Sequence, residues 1–344
     1  MKKHVLTLTK IAVAFGILYL IFQRFQIGWD DIVRALTESN PWWFLASIAT
    51  QIAAITFSIL RWNVLLKGQD LNLPTGHLVK TYLVGRFLGT FTPTGVGLEA
   101  YKAYDVARYT GRATESVAVI IIEKIVATFF SLSLLVLLTL PFVHLPLIYL
   151  AAFFAMFLFL LALALILLFK PSLIERLLTF NFPMKGKIEG RLREAVDAFT
   201  IYSRRKEALV TAILYGFGVY ISLFLTYYTN SLALHAGVGL VDVLKIGPLT
   251  QIATMIPLSI AGIGIRGGTF ITLLDYAGIT FDSTATFLTA HMWYYVSISV
   301  NIVGFVIFLT RRTDYENIRA DSVQALMREG KIEASSPAAG LNER

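Results

Sequence analysis

Two short stretches of this chain carry glycines at spacings that suit phosphate binding, and each is followed by a cation. Gly262, Gly264 and Gly267 lie in AGIGIRGGTF and spell G-x-G-x-x-G, with Arg266 inside the motif. Gly95 and Gly97 lie in TPTGVGLEA, with Glu99 and then Lys102 behind them. Read as a dinucleotide fingerprint, such a motif needs a strand before it, a helix after it and an acidic residue about 20 positions on. No strand pattern precedes either stretch, so a nucleotide fold is excluded on context. Glycine has another use: it lets a chain break and turn, and lets a ligand come close to the backbone. A helix that starts at such a break presents free N–H groups and the positive end of its dipole, which favour an anion. The chemistry on offer is capture of an anionic group, with Lys102 and Arg266 as the cations. The alternative is that the glycines only let helices pack closely.

The elements that hold these residues follow from composition. Of the 344 residues 56% are hydrophobic and 15% charged, where a soluble domain carries about 25% charged. Runs at 114–140 and 143–169 are uninterrupted enough to cross a bilayer, which takes roughly 20 apolar residues. Backbone in lipid must bond to itself, so the spans are expected to be helices, and their continuous apolar character does not fit the alternating segments of an outer-membrane barrel. The fold class is therefore an all-α polytopic membrane protein. Six full spans are expected, at 5–24, 41–61, 114–140, 143–169, 207–229 and 281–309. Two further apolar stretches, 75–110 and 242–277, are broken by the glycines, and their second segments are too short to cross. Both read as re-entrant helix pairs, because irregular backbone at membrane depth must be buried in protein or line a watery cavity.

Positive charge orients the spans. The connection 170–206 holds nine Lys or Arg, which places it in the cytoplasm together with both termini, in a plasma-membrane protein. The first re-entrant pair then enters from inside and the second from outside. Adding 167 to the residue number lays Gly95, Gly97, Tyr109 and Gly111 on Gly262, Gly264, Tyr276 and Gly278. The same shift superposes the flanking spans. The organisation expected is 1–40 (first span and an outer amphipathic helix at 28–38), 41–140 (repeat 1), 141–206 (a span and a basic connection), 207–310 (repeat 2, inverted) and 311–344 (a polar tail). Inverted repeats of this kind place a transport site at their interface.

Charges inside the spans complete the candidate site. Glu123 and Lys124 lie well inside their span, Arg86 lies in the first half-helix, and His291 falls at the depth that the same shift gives Lys124. These groups can form a polar track for a lipid phosphate, since Arg binds phosphate bidentately and Lys as a point charge. Equally, Glu123 or Glu99 can neutralise Lys102 or Arg86 and only fix packing. His291 can titrate or serve as a hydrogen-bonded packing residue. Arg61, near the inner end of its span, can snorkel to the interface.

R-W-x-x-L-L at 61–66, the glycine break near 93–97, the Glu-Lys pair at 123–124 and G-I-G-I-R at 262–266 resemble the transmembrane, flippase-like domain of the lysylphosphatidylglycerol synthases over about 41–310. The resemblance implies a membrane domain that moves or handles anionic, modified or polyprenyl-linked lipids. Two positions depart from the family pattern. Gly267 stands where a Glu usually follows the Arg, and Lys102 stands where an Arg is usual. Only the short segment 311–344 follows the last span, so no soluble aminoacyl-transferring domain is expected, nor lysine transfer by this chain alone.

The leading reading is a transporter for such lipids, with substrate-binding residues Arg86, Gly95, Gly97, Glu99, Lys102, Glu123, Lys124, Gly262, Gly264, Arg266 and His291. A membrane subunit of a glycolipid or polyprenyl-phosphate sugar enzyme is the second, and a small-solute carrier the third. The carboxylates are scattered rather than paired, so chemistry would need a separate enzyme partner. The chain has no cysteine, which removes thiol catalysis and Cys-ligated metals, and no cofactor or metal is implied. Membrane lipids with anionic headgroups are the expected partners. Nucleic acid is not, since the charge of +8 is distributed as topology requires.

Overall fold

The computed structural model describes residues 19, 22–24, 26–90, 92, 96–143, 146–169, 201–202, 205–255 and 264–310. Among these every regular element is helical. Helix α1, Trp29–Thr37, occupies the stretch expected to be a short amphipathic helix, and Asp30 and Asp31 sit at the positive end of its dipole. Helix α2, Pro41–Gly68, starts at Asn40, whose side chain accepts from the Trp42 N–H at 3.0 Å. Pro41 takes the first helical position, where a missing N–H costs nothing.

Four helical segments are long and apolar enough to cross a membrane: α2, Ala113–Phe142, Lys206–Ala233 and Ser283–Thr310. They match four of the six expected spans. The expected span at 143–169 is helical over Leu147–Phe169 (α7). Most of the span expected at 5–24 lies outside the described residues, as do the tail and most of the basic connection. The segment Ala113–Phe142 is not uniform. It runs as α5 (Ala113–Ile122), a π-helical stretch Glu123–Phe130, α6 (Ser131–Thr139) and a 3-10 turn Leu140–Phe142.

The broken stretches form two helix pairs. The first is α3 (Thr75–Thr90) with α4 (Val96–Thr110); with α8 as Lys206–Ala233, the second is α9 (Leu240–Met255) with α10 (Ile265–Tyr276). None exceeds 16 residues, about 24 Å at 1.5 Å per residue, which is short of a hydrocarbon core about 30 Å thick. Within each pair the two helices pack on each other. Helix α11, Ser283–Thr310, completes the chain.

Helices α2 and α8 form the central contact. Ser47 meets Thr229 and Asn230, Thr50 meets Thr226, Phe57 packs at Gly218, and Gly68 lies beside Ala208. Rising numbers on one helix face falling numbers on the other, so the two run antiparallel along their whole length. One end of this pair is capped by side chains. The last carbonyls of a helix have no partner of their own. Here Tyr202 Oη donates to the Leu65 carbonyl at 2.5 Å, and Arg205 donates to those of Lys67 and Gly68 at 3.1 and 3.3 Å. Burial pushes the Tyr202 phenol up, so it stays a neutral donor. Arg205 also makes two bonds to Asp70, at 2.8 and 2.9 Å.

The helix starts repeat at a nearly constant offset in residue number: Pro41 corresponds to Lys206, Thr75 to Leu240, Val96 to Ile265 and Ala113 to Ser283. Packing follows the same correspondence: α3 lies on α11, and α9 lies on α6. Among the described residues two large apolar cores result, beside a small cluster of Ile27, Ile271 and Phe287. One gathers Trp62, Leu65, Leu78, Val106 and Ile122; the other gathers Leu132, Phe224, Tyr227, Ile246 and Phe270.

Candidate functional site

The first core encloses three charges from three elements. Arg61 on α2 donates Nη2 and Nε to Glu123 Oε1, at 3.0 and 3.3 Å. Lys102 on α4 donates to Glu123 Oε2 at 2.5 Å. Glu123 opens the π-helical stretch. Arg61, Lys102 and Glu123 are only 8%, 2% and 5% exposed, so each would cost several kcal/mol if left alone. The Lys102 ammonium also lies over two rings, 4.7 Å from the centroid of Trp62 and 5.6 Å from that of Tyr82. The sequence left Arg61 free to snorkel; the fold instead turns it inward onto a carboxylate from a distant part of the chain. That partner carried no local signal, although Arg61 and Trp62 are the first two residues of the R-W-x-x-L-L motif.

Beside this triad the charges are more open. Lys124 pairs with Glu99 at 2.8 Å, their side chains 43% and 27% exposed. Glu99 sits in the first turn of α4, where the dipole favours an anion. The Gly97 N–H, also in that turn, donates to Thr92 Oγ1 at 2.9 Å. Among the described residues Arg86 on α3 takes no carboxylate. It donates to Asn301 Oδ1 at 3.0 Å and Ser297 Oγ at 2.6 Å, tying α3 to α11. Gly95 and Gly262 lie outside the described residues.

The second core holds Arg266 in the first turn of α10. Its Nη1 donates to Tyr227 Oη at 2.5 Å, and its guanidinium lies 3.9 Å from the centroid of the Trp293 ring. Among the described residues no carboxylate stands within ion-pair distance of it, although it is 7% exposed. Gly264, the residue before α10, has φ 81°, the left-handed region that glycine reaches without strain. Its N–H donates to His291 Nε2 at 3.3 Å, while His291 Nδ1 meets the Phe287 carbonyl at 2.9 Å. A ring that accepts at Nε2 must carry its proton at Nδ1, so these two bonds define a neutral tautomer. The ring also fills the space of a missing side chain: a Cβ at Gly267 would collide with His291 Cε1 and lie 2.7 Å from Phe287 Cδ2.

The fold thus gathers Glu123 with Lys102, Lys124 with Glu99, and Arg266 with Gly264, Gly267 and His291. It leaves Arg86 apart, on hydroxyl and amide partners. Tyr227, Trp293 and Trp62 were not legible as site residues, because each reaches its cation from another helix or another turn. Among the described residues no group of three His, Asp or Glu stands ready to hold a metal ion. The arrangement can bind an anion.

Comparison with known proteins agrees with the helical, apolar architecture. The family described as lysylphosphatidylglycerol synthase TM region matches residues 7–304. The UPF0104 membrane protein PH1989 of Pyrococcus horikoshii is 23% identical over 288 residues, which cover 77% of this chain and 84% of that protein.

Proposed function

From the premise that this chain is an integral membrane protein and belongs to the lysylphosphatidylglycerol synthase TM region family, we propose that it carries anionic, modified or polyprenyl-linked lipids between the leaflets of the membrane. The observation that carries this reading is Arg266. A cation at membrane depth is costly and normally faces a partner or a cavity. Here it stands at the start of a helix, against one phenol and one indole, with no carboxylate beside it among the described residues. An anionic headgroup supplies the missing charge, and the N-terminus of α10 adds its dipole.

The antiparallel crossing of α2 and α8 supports a pair of inverted repeats. These helices open two four-element sets in the same order, and a spanning helix antiparallel to its counterpart has the opposite orientation in the membrane. The first re-entrant pair then opens to the cytoplasmic side and the second to the outside. Lys102, Lys124 and Arg86 serve the phosphate on one side, and Arg266 on the other. Acyl chains remain in the bilayer while the headgroup passes along the polar interior.

Reconstituted vesicles test the reading. Labelled lipids with anionic, zwitterionic and lysine-modified headgroups are expected to move selectively in wild-type vesicles. Arg266→Ala is expected to lower the rate about tenfold or more, since hydrogen bonds to a charged group contribute about 1.5–3 kcal/mol. Movement of no lipid by folded protein would turn the reading toward an enzyme subunit or a small-solute carrier.

A further inference from the structure

We infer that Arg61 and Trp62 form a separate oxyanion-binding site on α2, and that it takes a group with a single negative charge, as in a phosphodiester. The inference deepens the lipid-transport reading and rests on it for the class of substrate. Its basis is a count of the charges in one cluster and of the unmatched donors on two residues that touch it. Arg61 and Lys102 bring two positive charges and Glu123 one negative, so among the described residues that pair here one positive charge is left over. Coulombic attraction is strong in such surroundings, and an unbalanced buried ion is costly.

Two buried donors at this cluster have no partner among the described residues: Arg61 Nη1 and Trp62 Nε1. Arg61 reaches the cluster through Glu123, which occupies Nε and Nη2 of its fork and leaves Nη1 over. Trp62 reaches it through Lys102, whose ammonium lies on its ring. Trp62 is fully buried and Arg61 nine-tenths buried. An indole N–H and a guanidinium N–H donate only, so the complementary ligand accepts hydrogen bonds. A water molecule would satisfy the donors but leave the charge. A phosphodiester meets both conditions, with two free oxygens and one negative charge. A doubly charged phosphate monoester would reverse the imbalance rather than remove it.

This site differs from the two glycine breaks. Its donors belong to consecutive residues in the body of a continuous helix, and neither is a backbone N–H. It is also the place where the central helix pair meets the first re-entrant pair, since α2 supplies Arg61 and α4 supplies Lys102. A ligand held there touches both.

The test is thermal unfolding of the purified full-length protein in a non-ionic detergent, titrated with short-chain phosphatidylglycerol, short-chain phosphatidylcholine or inorganic phosphate. Wild type is compared with Arg61→Lys and Trp62→Phe. The second variant keeps an aromatic ring under Lys102 and deletes the unmatched N–H together with part of the ring, and because the readout is the ligand-induced shift from each variant's own midpoint, it stays informative where Arg61→Lys fails to fold. Phosphatidylglycerol is expected to raise the wild-type midpoint more than phosphatidylcholine does, and Trp62→Phe to shift the required concentration up about tenfold, the effect of about 1.4 kcal/mol. An equal response to inorganic phosphate, equally weakened by Trp62→Phe, supports the oxyanion site and identifies a free ion as its source. Identical titrations in wild type and Trp62→Phe, or no response to either anion, overturn the inference. Vesicles that move no lipid while this titration behaves as expected count against the transport reading alone.

Discussion

The two halves of the molecule each bury a cation beside a broken helix, and they stabilise it by different means. In the first half Arg61 and Lys102 share Glu123, and the carboxylate draws α2, α4 and the π-helical stretch together. In the second half Arg266 rests on the Tyr227 hydroxyl and the Trp293 face, with no carboxylate among the described residues. Aromatic faces hold a cation by about 2 kcal/mol when it is desolvated, less than an ion pair with good geometry in the same surroundings. The first arrangement is therefore a structural knot with charge to spare. The second leaves the charge of its cation unmatched by a carboxylate among the described residues. A carboxylate in a membrane protein can hide a cation as well as report one, and the cation without it is the better guide to a binding site.

The sharpest way to break this comparison is Glu123→Ala. Removing one member of a buried ionic cluster costs about 3–5 kcal/mol, and here it leaves two cations facing each other. Chemical unfolding in detergent is expected to show a loss of that size, whereas Arg266→Met is expected to leave stability unchanged or raised. Equal losses in the two would mean that Arg266 is as deeply compensated as Arg61, and the contrast would disappear. Gly267→Ala sharpens the second half: its Cβ meets His291 and Phe287, and overpacking of this kind costs about 1–3 kcal/mol. Adding His291→Ala to that variant is expected to recover part of the loss, since the contact with Phe287 remains. If it does not, the ring is not what fills the position.

The smallest effect lies outside both sites. The hydrogen bonds and charge of Arg205 hold the Asp70 carboxyl below its ordinary value. A carboxyl lowered by folding contributes stability above its unfolded pKa of about 3.9, and the contribution fades as pH falls through the folded value. Wild type and Asp70→Asn are therefore expected to differ slightly at pH 6 and to converge below about pH 4 in unfolding measurements. A difference that persists at low pH would assign the cap on α2 to Tyr202 and the Arg205–carbonyl bonds alone.

Hydropathy and glycine placement made the helices and their breaks legible, because a span is written in consecutive residues. The shift of 167 residues expected from the sequence lies close to the offsets of the helix starts. The pairings across helices were legible only in part. Neutralisation of Lys102 by Glu123 was one of the alternatives the residue types offered, and the fold makes that pair; the second cation, Arg61, was not among them, and nothing local selects it over Arg86. The bond between Gly264 and His291 joins two elements and depends on how α10 meets α11. The missing Glu after Arg266 was readable as a departure from the family pattern, but the reason it cannot return without displacing a ring was not.

The π-helical stretch Glu123–Phe130 adds a mechanical consequence. An α-helix advances about 100° per residue, and a π turn takes in one more residue than an α turn before its hydrogen bond closes. The span is thus a screw cut with two pitches. Returning a turn to the ordinary pitch would rotate α5 against α6 by roughly one residue, about 100°, while leaving both helices wound. Glu123 sits where the pitch changes, so the thread that sets the angle of the span also sets where its carboxylate points.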